Sequence, residues 1–280
     1  MRLFAPDDPR PVHFMGVAGA GMSALALVAR NRGVAVTGCD KDLVAGSAAS
    51  ADLQRSGAQV FAGHDPSHVE GARAVVVSSA VAHDHPELVR ARERGVPVVR
   101  RAEALAAAVT PGQLVAVAGT HGKTTTTVMT TEALAAAGLN PTGIAGGRVS
   151  SWGGNARIGG DGLFVVEADE YDKSFLALAP QVAVINNVEA DHLECYGSVA
   201  SLEEAFAQFA RPARQVIGGA DDEGAVRVAR MLSRPTWTVG FAEQASVRIR
   251  TVERAADRSV AIVTLPTRSE ERRVGKECRL

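Results

Sequence analysis

The sequence is short of several things. Among its 280 residues, lysine stands only at Lys41, Lys123, Lys173 and Lys276, so arginine carries most of the positive charge. The net charge is −1, which gives no argument for a nucleic-acid partner or an anionic membrane surface. Cysteine is limited to Cys39, Cys195 and Cys278. They are odd in number, far apart and without a CxxC pair, which excludes a disulfide framework and makes a reducing cytoplasm the simplest setting. No apolar run approaches the ~18 residues that a membrane helix needs. The opening MRLFAPDDPRPVHF is too polar and proline-rich for a signal peptide. None of these features implies a partner protein. What remains is ordinary globular composition, 46% apolar and 22% charged. At ~150 residues per domain the length suggests about two domains.

Short apolar runs alternate with helical patterns from residue 12 onward. VHFMG (12–16), VAVTGCD (34–40), QVFAG (59–63), ARAVVVSSAV (72–81) and VPVV (96–99) read as strands. Helices are expected after the first strand, closed by Gly33, around Leu53, and over HPELVRARERG with Gly95 as its stop. Such alternation implies parallel strands joined by crossovers, a Rossmann-like α/β domain over residues 1–110. Thr-Pro-Gly-Gln at 110–113 is turn chemistry and marks a boundary. A second α/β domain is expected over 111–267. It opens with strand QLVAVAG (113–119) and a helix from Lys123 to Gly138. Residues 140–162 are glycine-rich and read as a long functional loop. LFVVEAD and QVAVINNV are strands, helices and strands follow to about residue 240, and 247–266 reads as a β-hairpin. The charged run RSEERRVGKECRL (268–280) has no hydrophobic face, and is expected to be a frayed tail or foreign to the native frame.

The stretch VAVAGTHGKTTTT (115–127) brings a strand, a tight turn on Gly119 and Gly122, Lys123, Thr124 and a helix start into one order. The full spacing Gly-x4-Gly-Lys-Ser/Thr is not met, because Val117 stands where its first glycine belongs. The physics survives in the shorter form. Backbone N–H groups at a helix start converge on a phosphate oxygen. Gly119, Thr120, His121, Gly122, Lys123, Thr124 and Thr125 are therefore candidates for holding the phosphates of ATP. Lys123 is placed to reach the β/γ-phosphates and Thr124 to ligate Mg²⁺. That makes the second unit a P-loop-type ATPase domain. Two strands end in acidic clusters, Glu167, Asp169 and Glu170 in one and Glu189, Asp191 and His192 in the other. Ligands gather at the C-terminal ends of parallel strands, so both clusters are expected beside the loop. Glu167 and His192 are the choices for metal. His121 touches phosphate or only caps its turn. His13, His68, His83 and His85 have no visible partner.

A first glycine loop, Gly16-x-x-Gly19-x-Gly21, lies between strand and helix, and Asp40 ends the next strand. The spacing is not that of a dinucleotide fingerprint. A nicotinamide cofactor, any other pyrophosphate ligand such as a UDP-sugar, and close packing through small residues all remain open on this loop alone.

Taken together, the motifs HFMGVAGAGMSALA, VTGCD, AGH, VVVSSAV, HPEL, AGTHGKTTTT, GGNARIG, VVEADEYDKSFL and NNVEADHLECY resemble the Mur ligase family over residues 12–266. The resemblance implies ATP-dependent joining of L-alanine to the lactyl carboxylate of UDP-N-acetylmuramate through an acyl phosphate, a step of peptidoglycan precursor synthesis. It implies ATP and Mg²⁺ as cofactors and a cytoplasmic setting. Lys123, Glu167 and His192 would carry the chemistry, with Thr124 and Glu167 on a metal near ATP and His192 on a second one. Gly16, Gly19, Ala20, Gly21, Met22, Ser23 and Asp40 would hold the nucleotide sugar, with His64 and Ser78 as further contacts. Cys39 and His85 stand where serine and asparagine are expected. The resemblance implies that the family's C-terminal domain is missing and the central ATPase domain cut short, so weak UDP-sugar binding, poor ATP binding and little ligation are expected of these 280 residues. The alternatives are a ligase that recycles a murein tripeptide onto the same sugar, and a non-catalytic nucleotide-sugar-binding module. A nicotinamide oxidoreductase would leave the 118–127 loop unexplained.

Overall fold

The computed structural model describes residues 3–43, 48–254, 259–265 and 268–276. It divides into two compact units, Met1–Leu114 with Thr124–Glu167, and Val115–Lys123 with Ala168–Leu280. The first unit begins with β1 (Val12–Met15), α1 (Ala20–Asn31), β2 (Val36–Asp40), α2 (Ala48–Arg55), β3 (Gln59–Ala62) and β4 (Ala74–Val77). It continues through α3 (Pro86–Glu93), β5 (Val98–Arg100) and α4 (Arg101–Val109). The strands form a parallel sheet in the order β3-β2-β1-β4-β5. The central strands read VHFM and AVVV and are buried throughout, as a sheet covered on both faces requires. Gly33 adopts φ +79° after α1 and its N–H donates to Arg30 O, a left-handed stop that only glycine takes without strain. This is the Rossmann-like domain expected from the alternation. The sequence pattern missed α4, whose alanine-rich RAEALAAAV has little polar contrast between its faces.

Next come β6 (Gln113–Ala118), α5 (Lys123–Ala136), β7 (Thr142–Val149), β8 (Gly154–Arg157) and β9 (Leu163–Glu167). The expected loop at 140–162 is corrected here, since β7 and β8 pair antiparallel and β7 and β9 pair parallel. The glycines that suggested a loop serve close approach instead. A Cβ on Gly143 would stand 2.7 Å from Thr131 Cγ2 and 2.8 Å from the Trp152 ring. Helix α1 packs on β7 and β8. Residues 124–167 therefore group with the first unit, and the compact units do not follow the division expected near residue 110.

In the second unit β10 (Val182–Ile185) lies parallel between β6 and β11 (Gln215–Gly219), in register from Val182 opposite Val115 to Ile185 opposite Ala118. Helices α6 (Leu193–Tyr196), α7 (Val199–Ala210) and α8 (Glu223–Met231) alternate with these strands. The sheet extends through β12 (Trp237–Gly240) to β13 (Val247–Arg254), which pairs antiparallel with β14 (Ser259–Leu265). Phe175, Phe206 and Phe209 form its aromatic centre, with Phe175 at 5.1 Å from each of the other two rings. The run expected to fray is a strand over part of its length. β15 (Arg268–Lys276) pairs antiparallel with β14. An edge strand offers unpaired N–H and C=O groups to any adjoining backbone, whatever its side chains. Residues 277–280 lie outside the described residues. Among those described, no helix is long and apolar enough to cross a membrane.

Candidate active site

The second glycine loop follows β6. Gly119 has φ +138°, and a Cβ there would lie 3.0 Å from Asn186 Cβ and 3.2 Å from the Asn187 amide nitrogen. Gly122 has φ +76°. The turn thus needs glycine at both positions, once for approach and once for conformation. The end of β10 holds it in shape. The His121 N–H donates to Asn187 Oδ1 at 2.7 Å, the side-chain amides of Asn186 and Asn187 donate back to His121 O, and the Glu189 N–H donates to Thr120 Oγ1 at 2.9 Å. Lys123 folds over this loop. Its Nζ donates to Gly119 O at 2.7 Å, Thr120 O at 3.2 Å and Glu170 Oε1 at 2.7 Å. Both side chains of this ion pair are largely buried, 15% exposed for Lys123 and 3% for Glu170. Glu170 Oε2 is buried without a hydrogen-bond partner, and Tyr196 donates its hydroxyl to Glu170 O. Burial, then the nearby Glu170 charge, pushes the Tyr196 hydroxyl above its ordinary pKa, so it remains a donor at neutral pH. Glu170 belongs to the acidic run at the end of β9 from which the sequence offers Glu167 for metal. Glu170 lies three residues on, where the chain turns back toward the lysine.

Glu167 has a separate set of partners within the first unit. Thr124 Oγ1 donates to its Oε2 at 2.9 Å and the Gly146 N–H to the same oxygen at 2.5 Å. A hydroxyl beside a carboxylate is a pair of hard oxygen donors, the chemistry that suits Mg²⁺. Thr125 is exposed on the first turn of α5. His192 lies in the second unit with φ +52°, just before α6. Its Nδ1 is 3.7 Å from Asp191 Oδ1 and 3.6 Å from Glu194 Oε1, and its ring stands edge-on to Tyr171 at 5.1 Å. The two carboxylates place hard oxygen donors beside the imidazole. His121 Nε2 sits 3.6 Å from Glu189 Oε2, both exposed.

The first glycine loop, with the residues chosen for the nucleotide sugar, lies at the C-terminal ends of β1 and β2, while His64 and Ser78 follow β3 and β4. These are neighbouring strands of one parallel sheet, so all of them share one edge. Gly16 turns with φ +75°, and Gly21 leaves room for Arg101, whose Nη1 would be 2.9 Å from an added Cβ. Met22 is buried. Ser23 Oγ donates to Gly19 O and Ala20 O at 3.1 Å and stands 3.3 Å from Asn155 Oδ1, so it is tied to its helix and to β8. Asp40 is 8% exposed and braces the loop: its Oδ2 accepts from the Ala18 N–H and its Oδ1 from the Asp42 N–H, both at 2.9 Å. Replacing Asp40 by alanine leaves two amides unpaired and is expected to cost about 1–3 kcal/mol in urea unfolding. A 210 Å³ cleft lined by Ala18, Ala20, Ser23, Asp52, Arg148 and Asn155 opens beside the start of α1. Arg148 supplies a cation there, 3.2 Å from Asp52 Oδ2.

The reading that His13, His68 and His85 lack partners is corrected. Glu87, fully buried at the start of α3, faces His64 Nδ1 at 3.1 Å and His68 Nδ1 at 3.0 Å, and Cys39 Sγ lies 3.3 Å from His13 Nε2. His85 stands edge-on to His64 at 4.7 Å. Burial holds the His13 pKa down at about 4, so its imidazole is neutral. Burial opposes ionisation of Glu87, but the Cys39 thiol and the Asp65 N–H, with His13 and His68 nearby, outweigh it and hold the carboxyl below its usual range. No sequence spacing signals this cluster, because its members come from four separate elements.

A family model described as the Mur ligase family, catalytic domain, matches residues 11–111, and one described as the Mur ligase middle domain matches residues 117–275. A protein of Methylibium petroleiphilum named UDP-N-acetylmuramate–L-alanine ligase is 45% identical over 243 residues, which are 85% of this chain and 51% of that protein. A UDP-N-acetylmuramate–alanine ligase structure from Thermotoga maritima superposes with a TM-score of 0.82 at 29% identity, covering 95% of this chain and 60% of that one. A UDP-N-acetylmuramate:L-alanyl-γ-D-glutamyl-meso-diaminopimelate ligase structure from Neisseria superposes with a TM-score of 0.81 at 25% identity, covering 92% and 85%. The chain spans about half the length of the curated relatives it matches.

Proposed function

The chain belongs to the Mur ligase family, and from that premise we propose that it serves the ATP-dependent joining of L-alanine to the lactyl carboxylate of UDP-N-acetylmuramate, in the cytoplasm, as a step of peptidoglycan precursor synthesis. The observation that carries the reading is the glycine loop of the second unit, where Lys123 is the cation over two loop carbonyls and a buried carboxylate.

The chemistry explains why such a loop is needed. A carboxylate is a poor acylating agent, so its oxygen first attacks the γ-phosphorus of ATP, the bond to the β-phosphate breaks, and an acyl phosphate and ADP result. The amine of L-alanine then attacks the carbonyl carbon, the C–O bond to phosphate breaks, and the ammonium proton is lost as the amide forms. The residues must hold several negative charges close together. Lys123 neutralises charge at the β/γ-phosphates, exchanging its loop carbonyls for phosphate oxygens while Glu170 fixes its direction. Thr124 and Glu167 offer the oxygen pair for Mg²⁺ near ATP, and His192 with Asp191 and Glu194 offers a second locus. When bound, Mg²⁺ supplies charge neutralisation on the phosphates. The N-terminal loop, braced by Asp40, directs the start of α1 at the pyrophosphate of the nucleotide sugar, and Arg148 adds a cation beside it.

The test is phosphate release from ATP in the presence of UDP-N-acetylmuramate, with L-alanine or a murein tripeptide as acceptor. Release that depends on L-alanine supports the reading. Release that depends on the tripeptide assigns the recycling reaction instead, a reading that rests on the fold shared with the Neisseria structure. UDP-sugar binding without acceptor-dependent release leaves a binding module.

A further inference from the structure

We propose that the buried cluster of His13, Cys39, His68 and Glu87 in the first unit is a structural site for a borderline-soft divalent cation, Zn²⁺ foremost. The four side chains come from β1, β2, the short turn of helix at Pro66–Val69 and α3. One donor atom of each lies within 4.8 Å of all the others. His13, Cys39 and Glu87 are fully buried, and His68 keeps 14% of its side chain exposed.

The donor set has the number and kind a tetrahedral zinc site takes: one thiolate, two imidazoles and one carboxylate. Bonds of about 2.0–2.3 Å would set donor separations of about 3.3–3.6 Å around such an ion. The cluster already stands at 3.3 Å from His13 Nε2 to Cys39 Sγ, 3.3 Å from Sγ to Glu87 Oε1 and 3.0 Å from Oε1 to His68 Nδ1. His13 Nδ1 lies 2.9 Å from Thr37 Oγ1, which leaves Nε2 facing the cluster, the outer hydrogen bond that orients a metal-bound imidazole. The His68 ring is held flat on Phe61, with centroids 4.4 Å apart and an 11° interplanar angle.

The donors crowd around the sulfur. A thiol has one proton, yet His13 Nε2, His64 Nδ1 and both Glu87 oxygens all stand 3.3 Å from Sγ. The thiol proton and the imidazole N–H groups pair these atoms when no ion is bound, and a dication would replace those protons, neutralise a thiolate and a carboxylate, and engage all four donors at once. His64 and His85 lie on the outer side of Glu87, in a second grouping with it. The site is distinct from the oxygen pair Thr124–Glu167 in residues and in donor chemistry.

The test is Co²⁺ titration of the full chain after chelation and dialysis, followed by Zn²⁺ competition and metal analysis. One Co²⁺ per chain is expected, with the intense visible bands of a tetrahedral site and a near-ultraviolet thiolate-to-cobalt absorption that Zn²⁺ abolishes. Cys39→Ser should lose the thiolate absorption, and His68→Gln, at the most exposed ligand, should weaken uptake by about 10–100-fold. Zn²⁺ should also raise the melting temperature of the wild type. Absence of stoichiometric uptake, uptake without thiolate absorption, or an unchanged spectrum in Cys39→Ser overturns the proposal. Should Cys39→Ser not fold, the wild-type spectrum and His68→Gln still decide it.

Discussion

Lys123→Ala is expected to lower phosphate release by about 10²–10³-fold, the typical loss when one positioned donor to a developing charge is removed. It is also expected to destabilise the protein by about 3–5 kcal/mol, because Glu170 would remain buried without its cation. The two effects have different origins and separate in one experiment. Glu170 is 3% exposed and meets the ammonium at 2.7 Å, while its other oxygen has no partner. Removing the charge from both sides, as in Lys123→Met with Glu170→Gln, should return most of the lost stability in urea unfolding. The same double variant should stay as slow as Lys123→Ala, because phosphate still meets no cation. Recovery of phosphate release along with stability would show that Lys123 acts only as a structural partner of Glu170.

Gly146→Ala is the second large effect. An added Cβ would stand 2.6 Å from Glu167 Oε1 and 2.9 Å from its Cδ, so the carboxylate must swing away from Thr124. On the proposal that Glu167 ligates Mg²⁺, its displacement is expected to weaken Mg²⁺ by at least the roughly 10–100-fold that loss of an outer-shell partner costs. The neighbouring Gly147 makes the control, since a Cβ there meets nothing within 4 Å. Gly147→Ala should change stability by no more than about 0.5 kcal/mol and leave Mg²⁺ dependence intact. Measuring phosphate release against Mg²⁺ concentration for both variants checks the pair. Equal Mg²⁺ dependence in Gly146→Ala and wild type would remove Glu167 from the metal.

Local pattern carried much of this in the sequence. The buried runs VHFM and AVVV, the stops at Gly33 and Gly95 and the strand–turn–helix order around Lys123 were legible because each is written in consecutive residues. The β7–β8 hairpin was not. Its glycines looked like loop chemistry, and only the structure reveals that Gly143 and Gly146 lack side chains to admit Thr131, Trp152 and Glu167. Nor was the ion pair of Lys123 with Glu170, which joins residues 47 apart in sequence. Asp40 was legible as a loop acid, but its partners are the Ala18 and Asp42 amides. The Glu87 cluster was illegible for the same reason as the ion pair, since each of its histidines reads alone as unremarkable.

Calorimetric titration of the chain with UDP-N-acetylmuramate, with NADPH titrated in parallel, decides which nucleotide the N-terminal glycine loop holds. One UDP-N-acetylmuramate per chain is expected, weakened by Asp40→Ala, insensitive to Lys123→Ala, and accompanied by no NADPH binding. NADPH binding with no response to the UDP-sugar would contradict the account.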